Sequence, residues 1–313
     1  MRILVTGAAG FVGSNIALQL EKEGHEVVAI DDFSSGNFEN LSGFKGDLIA
    51  ASIFKDRAWW PERVGAVDMI IHEAAITDTT VMDQKKMMEE NVEAFREILS
   101  FAAKSQVENV AYASSAAVYG AGPLPMKETA ARRPMNVYGF SKQVMENVAA
   151  RFVKENPKTK VAGVRYFNVF GPGESFKGKF ASMIWQLSLQ MKAGKRPRIF
   201  EFGDQYRDFI YIKDVAMGTI MAAKSAPNGV YNICTGQKTT FNQIIGHLNN
   251  ALGTKYEPDY IKNPYSFYQN ETLGDPTAAE KAFGFKARYS MEAAIKDYFA
   301  SGSKRMEKEE VRL

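Results

Sequence analysis

The sequence is poor in the residues that form disulfides and soft metal sites. Among 313 residues there are one cysteine, Cys234, and only three histidines. A single cysteine excludes an intrachain disulfide and is typical of a reducing cytoplasm. With so few thiols and imidazoles, we predict no metal site. Cys234 follows an apolar segment that starts at Gly229, so we interpret it as a buried strand thiol and not as a nucleophile.

Long hydrophobic runs and an excess of one charge are also missing. No apolar segment approaches the roughly 20 residues of a membrane span. The first six residues enter a strand pattern directly, without the features of a signal peptide. The formal net charge of +3 is too small to indicate nucleic-acid binding. We therefore expect a cytoplasmic globular protein that binds neither membranes nor nucleic acid.

In the first half of the chain, short β-branched runs alternate with amphipathic stretches. Buried strands are predicted at residues 2–6, 26–30, 69–72, 110–114 and 161–166. Helices are predicted between them, at residues 12–23, 85–104 and 138–154. This alternation predicts an α/β fold with a doubly wound parallel sheet of the Rossmann type.

The alternation breaks after about Gly171. Helices at 179–193, 240–252 and 291–299 are then mixed with short strands at 199–201, 207–211 and 256–261. We predict an NAD(P)-binding Rossmann domain at 1–170, to which segments from roughly 207–235 return. The rest of 171–313 is predicted to be a smaller α+β substrate lobe.

A glycine-punctuated turn joins the first strand to the first helix. Gly7 permits a tight turn, Gly10 lets the backbone approach a pyrophosphate, and Gly13 allows close packing of helix on strand. The helix start, with Phe11 and Val12, offers free N–H groups and a positive dipole to phosphates. This position favours a dinucleotide site over a turn without a ligand.

Acidic residues at the second strand suggest how the adenosine half is bound. Asp31 is placed to accept hydrogen bonds from the ribose, and Asp32 follows it. No basic residue comes directly after them, which favours NAD over NADP, although Lys45 is a remaining alternative for a 2′-phosphate. Asp47 and Leu48 are interpreted as adenine contacts, with an ordinary loop aspartate as the alternative.

After the strand at 69–72 come Glu73, Ala74 and Ala75. The two alanines are small enough for the backbone to pass close to a bound dinucleotide. We therefore expect this segment to contact the cofactor.

Tyr138 and Lys142 are four residues apart on a predicted helix, so they share one face. A neighbouring ammonium favours the phenolate, and we expect it to lower the pKa of Tyr138 from about 10. Such pairs also occur by chance on solvated helices. Ser115 adds weight, because a hydroxyl at the carboxyl end of a parallel strand faces the ligand crevice.

Taken together, these motifs resemble the extended short-chain dehydrogenase/reductase family, whose members mostly act on nucleotide sugars. The resemblance covers nearly the whole chain. It implies that Tyr138 is the acid/base, Lys142 its electrostatic partner and a ribose ligand, and Ser115 the group that orients the reacting oxygen. It also implies a cofactor contact from Asn91 and a homo-oligomer.

Further segments are similar to the branch of the family that inverts C6 of ADP-glycero-manno-heptose for lipopolysaccharide core assembly. The most specific is Lys-Gly-x-x-Ala-Ser, which starts at Lys177. The resemblance implies a tightly bound NADP or NAD that removes hydride from C6 and returns it to the other face of a 6-keto group. Lys177 would be the second base. Implied substrate contacts are Thr77, Ser115, Asn168, Lys177, Ser182, Phe200, Glu201, Arg207 and Tyr268.

Two features leave alternatives open. Residues 173–176 lack the arginine that is usual in that branch, and a UDP-hexose 4-epimerase is not excluded. A 4,6-dehydratase needs an acidic pair after the catalytic hydroxyl, whereas Ala116 and Ala117 stand there. A dinucleotide-sensing protein without chemistry would keep the glycines but would not need Tyr138 and Lys142.

Overall fold

The computed structural model describes residues 1–264 and 270–301. Its strands are β1 (Arg2–Thr6), β2 (Glu26–Asp31), β3 (Asp47–Ala50), β4 (Met69–His72), β5 (Asn109–Ser115), β6 (Lys160–Tyr166), β7 (Asn168–Phe170), β8 (Arg198–Phe200), β9 (Tyr206–Arg207), β10 (Phe209–Tyr211), β11 (Gly229–Ile233), β12 (Thr239–Thr240) and β13 (Asp259–Ile261). Its α-helices are α1 (Phe11–Lys22), α2 (Trp60–Val64), α3 (Gln84–Met88), α4 (Ala94–Lys104), α5 (Val137–Glu155), α6 (Met183–Lys192), α7 (Ile212–Ser225), α8 (Phe241–Leu252), α9 (Thr277–Phe283) and α10 (Met291–Ser301).

A seven-stranded parallel sheet forms the centre of the first half. Its strand order is β11-β6-β5-β4-β1-β2-β3, and every neighbouring pair is parallel. Because helices cover both faces, the inner strands are almost fully buried along their length. The predicted doubly wound α/β fold is confirmed. The order reverses between β1 and β4, and ligands of such sheets bind beside the carboxyl ends of the strands at that point.

The last strand of the sheet comes from far along the chain. β11 pairs with β6, from Gly229 against Ala162 to Ile233 against Tyr166. The helix before it, α7, packs against α1 and against the sheet strands β4, β5 and β6. Late segments of the chain thus belong to the central sheet and its helical layer. The division of the chain into two domains at the predicted boundaries stays a prediction.

A second group of elements follows β6 and forms small sheets of two strands. β10 pairs with β7, β12 with β9 and β13 with β8. Helices α6, α8 and α10 pack with these strands around a continuous apolar cluster that includes Trp185, Phe209 and Leu248. No helix among the described residues is both long and apolar enough to cross a membrane.

Two predicted helices differ from those observed. The predicted helix at 85–104 is divided into α3, a π-helical turn (Glu89–Glu93) and α4. The predicted helix at 179–193 begins only at Met183, because Ser182 is an N-cap whose hydroxyl accepts from the N–H of Trp185. Before it, residues Ser175–Phe180 form a 3₁₀ segment with a non-helical residue, Gly178.

Candidate active site

The turn between β1 and α1 leaves no room for side chains. A Cβ on Gly7 would lie 2.6 Å from the backbone nitrogen of Ala74, and φ is +63° there. A Cβ on Gly13 would collide with the carbonyl oxygen of Gly7. Helix α1 begins after Gly10 without a side-chain cap and without an acidic residue in its first turn. The N–H groups of Phe11 and Val12 therefore lie in a glycine cradle that fits a dinucleotide pyrophosphate.

Asp31 lies at the carboxyl end of β2, next to this turn. Its carboxylate accepts from the N–H groups of Ala9 (2.8 Å) and Phe33 (2.8 Å). Burial raises the pKa of Asp31, and these two hydrogen bonds oppose that rise. Asp32 is exposed beside it and accepts from the N–H of Ser34. The pair presents negative charge where a ribose would be bound.

The residues predicted to contact the adenine, Asp47 and Leu48, lie away from the glycine cradle. Asp47 pairs with Val28, whereas Ala50 pairs with Asp31, so Asp47 and Leu48 lie at the amino end of β3. That is three residues, or about 10 Å, from the edge that holds the glycine cradle. Asp47 instead forms an exposed ion pair with Arg63 at 3.2 Å. The sequence pattern did not reveal where this short strand begins.

Of two lysines near this region, Lys45 was considered from the sequence and Lys55 was not. The N–H of Lys45 bonds to Glu21 in the last turn of α1, which is far from the cradle. Lys55, which the sequence did not single out, lies close enough to Asp32 for their charges to interact. Its ammonium is paired with Glu90 at 2.8 Å. Because Lys55 lies on a different loop from Asp32, no local motif announces their proximity.

The catalytic residues predicted from the sequence meet at the start of α5. Asn136 caps this helix by accepting from the N–H of Gly139 at 2.7 Å. Tyr138 is thereby held in the first turn, where its hydroxyl hydrogen-bonds to the hydroxyl of Ser115. Lys142 is buried one turn later, and its Nζ donates to the carbonyl of Ala113 at 2.8 Å.

Burial, and not charge pairing, is the largest cause of the pKa shifts of Tyr138 and Lys142. It raises the pKa of Tyr138, and the bond from Ser115 only opposes this rise. It lowers the pKa of Lys142 to about 8, so the ammonium form is still favoured at neutral pH. The expectation that Lys142 lowers the pKa of Tyr138 is wrong for this structure. The reason is geometric, because Nζ points to a backbone carbonyl and lies 5.8 Å from the centre of the Tyr138 ring.

Glu73, which precedes Ala74 and Ala75, accepts a hydrogen bond from a distant tyrosine. Its Oε1 accepts from the Tyr166 hydroxyl at 2.7 Å, and that hydroxyl lies 2.8 Å from Oγ1 of Thr219. Burial raises the pKa of Glu73 to about 7, opposed by Tyr166 and by the charge of Lys142. The sequence placed Glu73 at the cofactor edge but gave no sign of this partner, because Tyr166 is 93 residues away.

Both atoms of the Asn91 side-chain amide form hydrogen bonds within the protein. The residue is fully buried in the π-helical turn, where its Oδ1 accepts from the N–H of Ile76 at 2.7 Å. Its Nδ2 donates to the carbonyl of Ile76 (3.1 Å) and to Oγ of Ser141 (2.9 Å). This amide joins the segment after β4 to the helix of Tyr138 and Lys142, and its direct contact with the cofactor stays a prediction.

Lys177, which belongs to the second group of elements, lies beside the start of α1. Its ammonium lies 5.8 Å from the centre of the Phe11 ring, at the first residue of α1. Burial lowers its pKa, and the charge of Glu174 opposes this fall. The hydroxyl of Ser182 donates to Glu174 and accepts from the N–H of Trp185, and its contact with substrate stays a prediction.

Of the remaining predicted substrate residues, Thr77 follows β4, and the others lie along the second group of elements. Asn168 donates from Nδ2 to Oγ1 of Thr272 at 2.9 Å. Arg207 donates to the carbonyl of Asn270 at 2.8 Å. Phe200, at the end of β8, is half-buried, and both Glu201 and Thr77 are exposed. Tyr268 lies outside the described residues.

Comparison with known proteins agrees with this geometry. The family model described as the NAD dependent epimerase/dehydratase family matches residues 3–234. The chain belongs to this family. The predicted extended short-chain dehydrogenase/reductase relationship is thereby confirmed, and with it the prediction of an NAD(P)-dependent nucleotide-sugar epimerase.

Solved structures of other family members are similar over almost the full chain. One is the ADP-L-glycero-D-manno-heptose-6-epimerase of Helicobacter pylori, which is 39% identical, with 96% of this chain and 95% of that chain covered at a TM-score of 0.88. Another is the UDP-glucose 4-epimerase of Thermotoga maritima with UDP-glucose. It is 28% identical, with 98% of this chain and 100% of that chain covered at a TM-score of 0.90. A third is MoeE5 in complex with UDP-glucose and NAD. It is 25% identical, with 98% of this chain and 100% of that chain covered at a TM-score of 0.84.

Proposed function

We propose that this epimerase inverts C6 of ADP-glycero-manno-heptose, which would place it in lipopolysaccharide core assembly. The observation that carries the proposal is the position of Lys177, beside the first residue of α1. A second proton-transferring group at this place suits a reaction in which one carbon is approached from two faces. The 39% identity to a heptose epimerase over 96% of the chain supports the same substrate.

Tyr138 would act on the sugar hydroxyl in one orientation. Its proton is exchanged with the substrate oxygen, and Ser115, which already bonds to the Tyr138 hydroxyl, orients that oxygen. Lys142, whose Nζ donates to the carbonyl of Ala113, would bind the ribose of the cofactor, since its charge does not lower the pKa of Tyr138 here. Lys177 would exchange a proton with the same oxygen after the sugar has turned.

The cofactor that fits the cradle is a nicotinamide dinucleotide, and we propose NAD. The glycine turn would hold its pyrophosphate, and Asp31 and Asp32 its ribose hydroxyls. Two adjacent carboxyl groups at that position oppose a 2′-phosphate. For the adenine we propose the segment at 51–53, which directly follows the carboxyl end of β3. A bound nicotinamide supplies the group that accepts and returns a hydride.

A UDP-hexose 4-epimerase is the second candidate. A 4-epimerase structure matches this chain at a TM-score of 0.90, so the overall fold does not separate the two activities. The presence of Lys177 beside Phe11 favours the C6 reaction, because it supplies a second group for proton transfer in addition to Tyr138. The two candidates differ in both the nucleotide and the carbon that is inverted.

The test is direct. Purified protein is mixed separately with ADP-D-glycero-D-manno-heptose and with UDP-galactose, and product stereochemistry is followed by NMR. We expect inversion at C6 of the heptose only; inversion only of UDP-galactose at C4 would reject the proposal. The nucleotide retained through purification is identified by mass spectrometry, and we expect NAD.

The variant Tyr138→Phe tests the acid/base assignment. Removal of a general acid–base group typically costs about 10²–10⁴-fold in kcat. We expect a loss in this range with an unchanged melting temperature and unchanged nucleotide retention. Full turnover by this variant would reject the role of Tyr138 but not the identity of the substrate.

A further inference from the structure

A single buried carboxylate joins the two ends of the segment that carries Lys177. This segment, residues 171–182, is called the Lys177 loop below. Glu174 is only 1% exposed. Its Oε1 accepts from the N–H of Gly171 (3.0 Å) and from Oγ of Ser182 (3.0 Å), and its Oε2 accepts from the N–H of Ser182 (2.6 Å). One side chain therefore holds the first residue of the loop against the last.

Glu174 also acts on Lys177 itself. The backbone N–H of Lys177 donates to the carbonyl of Glu174 at 2.9 Å. Burial lowers the pKa of Lys177, and Glu174 is the charged group that opposes this fall. In return, Lys177 is the charged group that stabilises the Glu174 carboxylate. From α1, the side that faces Lys177 is the Phe11 ring, which carries no titratable group.

We propose that Glu174 is a positioning residue for Lys177, and this inference rests on the proposed role of Lys177 in epimerisation. It has two effects. The hydrogen bonds to Gly171 and Ser182 fix the Lys177 loop, so that Nζ stays beside the first turn of α1. The negative charge keeps Nζ protonated in a site where little water is left to solvate it.

The charge matters because of the direction of proton transfer. When Lys177 donates, an N–H bond at Nζ breaks and an O–H bond forms on the sugar oxygen, so Nζ must be protonated beforehand. A buried ammonium without an opposite charge loses its proton at a lower pH. Position matters as well, since misplacement of a reacting group by about 1 Å can cost about 100-fold in rate.

The decisive experiment compares Glu174→Gln with Ser182→Ala. Both variants remove hydrogen bonds that close the Lys177 loop, but only the first removes the charge. For Glu174→Gln we expect kcat to fall by about 10–100-fold. In a plot of kcat against pH, we expect the decline on the alkaline side (the alkaline limb) to begin at a lower pH. For Ser182→Ala, which also loses its helix cap, we expect a lower melting temperature and a lower kcat, with the alkaline limb unmoved.

A second measurement does not depend on turnover. The Lys177 ammonium is titrated by NMR in protein whose lysines carry ¹³C-methyl labels, with Lys177→Met used to assign its signal. We expect its pKa to fall in Glu174→Gln and to stay in Ser182→Ala. Should Glu174→Gln fail to fold, Glu174→Asp takes its place, because withdrawing the carboxylate by one methylene weakens the same field.

The outcomes separate this inference from the proposed function. Glu174 would have a structural role only if its substitution by Gln, or by Asp where that is used, changed neither the pKa of Lys177 nor the alkaline limb of the kcat–pH profile. If Lys177→Met retains full turnover, the proposed second proton transfer is wrong, whatever Glu174 does. Loss of turnover in Lys177→Met together with a normal Glu174→Gln overturns the positioning role alone.

Discussion

Three ionisable side chains, Glu73, Tyr138 and Lys142, meet in the floor of the crevice at the carboxyl edge of the sheet. Burial disfavours the charged form of each, so the pKa of both Glu73 and Tyr138 is raised and the pKa of Lys142 is lowered. For Glu73 and Lys142 these shifts bring the pKa values to about 7 and about 8. Both groups therefore titrate close to neutral pH, which is suited to a site that moves protons.

The raised pKa of Glu73 predicts a pH-dependent change in stability. Its folded-state pKa lies above its ordinary value, so its stabilising contribution is complete at low pH and is lost as the pH rises through about 7. In Glu73→Gln this loss is absent, and the amide oxygen can still accept from Tyr166. We expect the variant to melt a few degrees higher than the parent at pH 8, but at the same temperature near pH 4.5. Calorimetry at both pH values checks this, and an equal difference at both would contradict it.

The pair formed by Lys55 and Glu90 predicts a shift in cofactor preference. While paired at 2.8 Å, Lys55 is held away from a 2′-phosphate beside Asp32. Glu90→Gln removes the pairing charge, and an exposed ion pair of this kind is worth up to about 1 kcal/mol. We expect affinity for NADP relative to NAD to rise by about 2–5-fold. Fluorescence titration with both nucleotides measures the ratio, and Lys85→Gln, a change next to the same helical turn, should leave it unchanged.

Among individual residues, the sequence predicted the positions of those that belong to a local motif. Gly7, Gly13, Tyr138 and Lys142 stand in spacings that have physical reasons, and the structure brings the first two and the last two together. The helix cap formed by Ser182 was not predicted, because a hydroxyl can cap a helix as readily as contact a ligand. Residues that depend on distant partners, such as Glu73 with Tyr166, gave no signal in the sequence.

Helix α5, which carries the catalytic pair, is joined to the sheet by a buried ionic network. Glu146 on this helix accepts from Ser114 (2.7 Å) and from Arg165 (2.8 and 2.7 Å). Arg132 adds a further bond at 3.0 Å. Arg165 also donates to the Tyr119 hydroxyl at 2.7 Å. The network lies next to Ser115 and thereby couples the end of β5 to the helix of Tyr138.

Removal of the Glu146 charge would leave the Arg165 guanidinium buried without its partner. For Glu146→Ala we expect the free energy of unfolding to fall by about 3–5 kcal/mol. The matched control is Glu97→Ala, which breaks a partly exposed pair with Arg57 and should cost no more than about 1 kcal/mol. Urea denaturation followed by circular dichroism measures both, and similar losses in the two variants would contradict the prediction.

Among the elements, strands with continuous apolar runs were predicted well. The strands at 2–6 and 69–72 coincide with β1 and β4, because burial on both faces leaves a simple pattern. The π-helical turn before α4 was not predictable, since it depends on the bonds from Asn91 to Ile76. The start of β3 was missed for a similar reason. Its register is set by pairing with β2 and not by its own four residues.

For the whole molecule, the central sheet depends on segments from both halves of the chain. β11 supplies the edge next to β6, and α7 covers α1 and the neighbouring strands. The sequence indicated that segments near 207–235 return, and α7 and β11 lie within that range. Homo-oligomer formation, in contrast, stays a prediction that light scattering would check.

A fragment of residues 1–170 should therefore not fold on its own. It would expose the unpaired edge of β6 and the face of α1 that α7 covers. We expect it to bind a hydrophobic dye and to melt without a cooperative transition, whereas the full chain melts cooperatively. A compact, cooperatively melting fragment that still binds NAD would contradict this expectation.

The late place of β11 in the chain also matters during translation. After Tyr166 has left the ribosome, about 67 more residues must be synthesised before Ile233 emerges. At about 5–20 residues per second, this takes about 3–13 s. For that interval the nascent chain presents an apolar strand edge to the cell, which makes it a natural client for a chaperone that binds during synthesis.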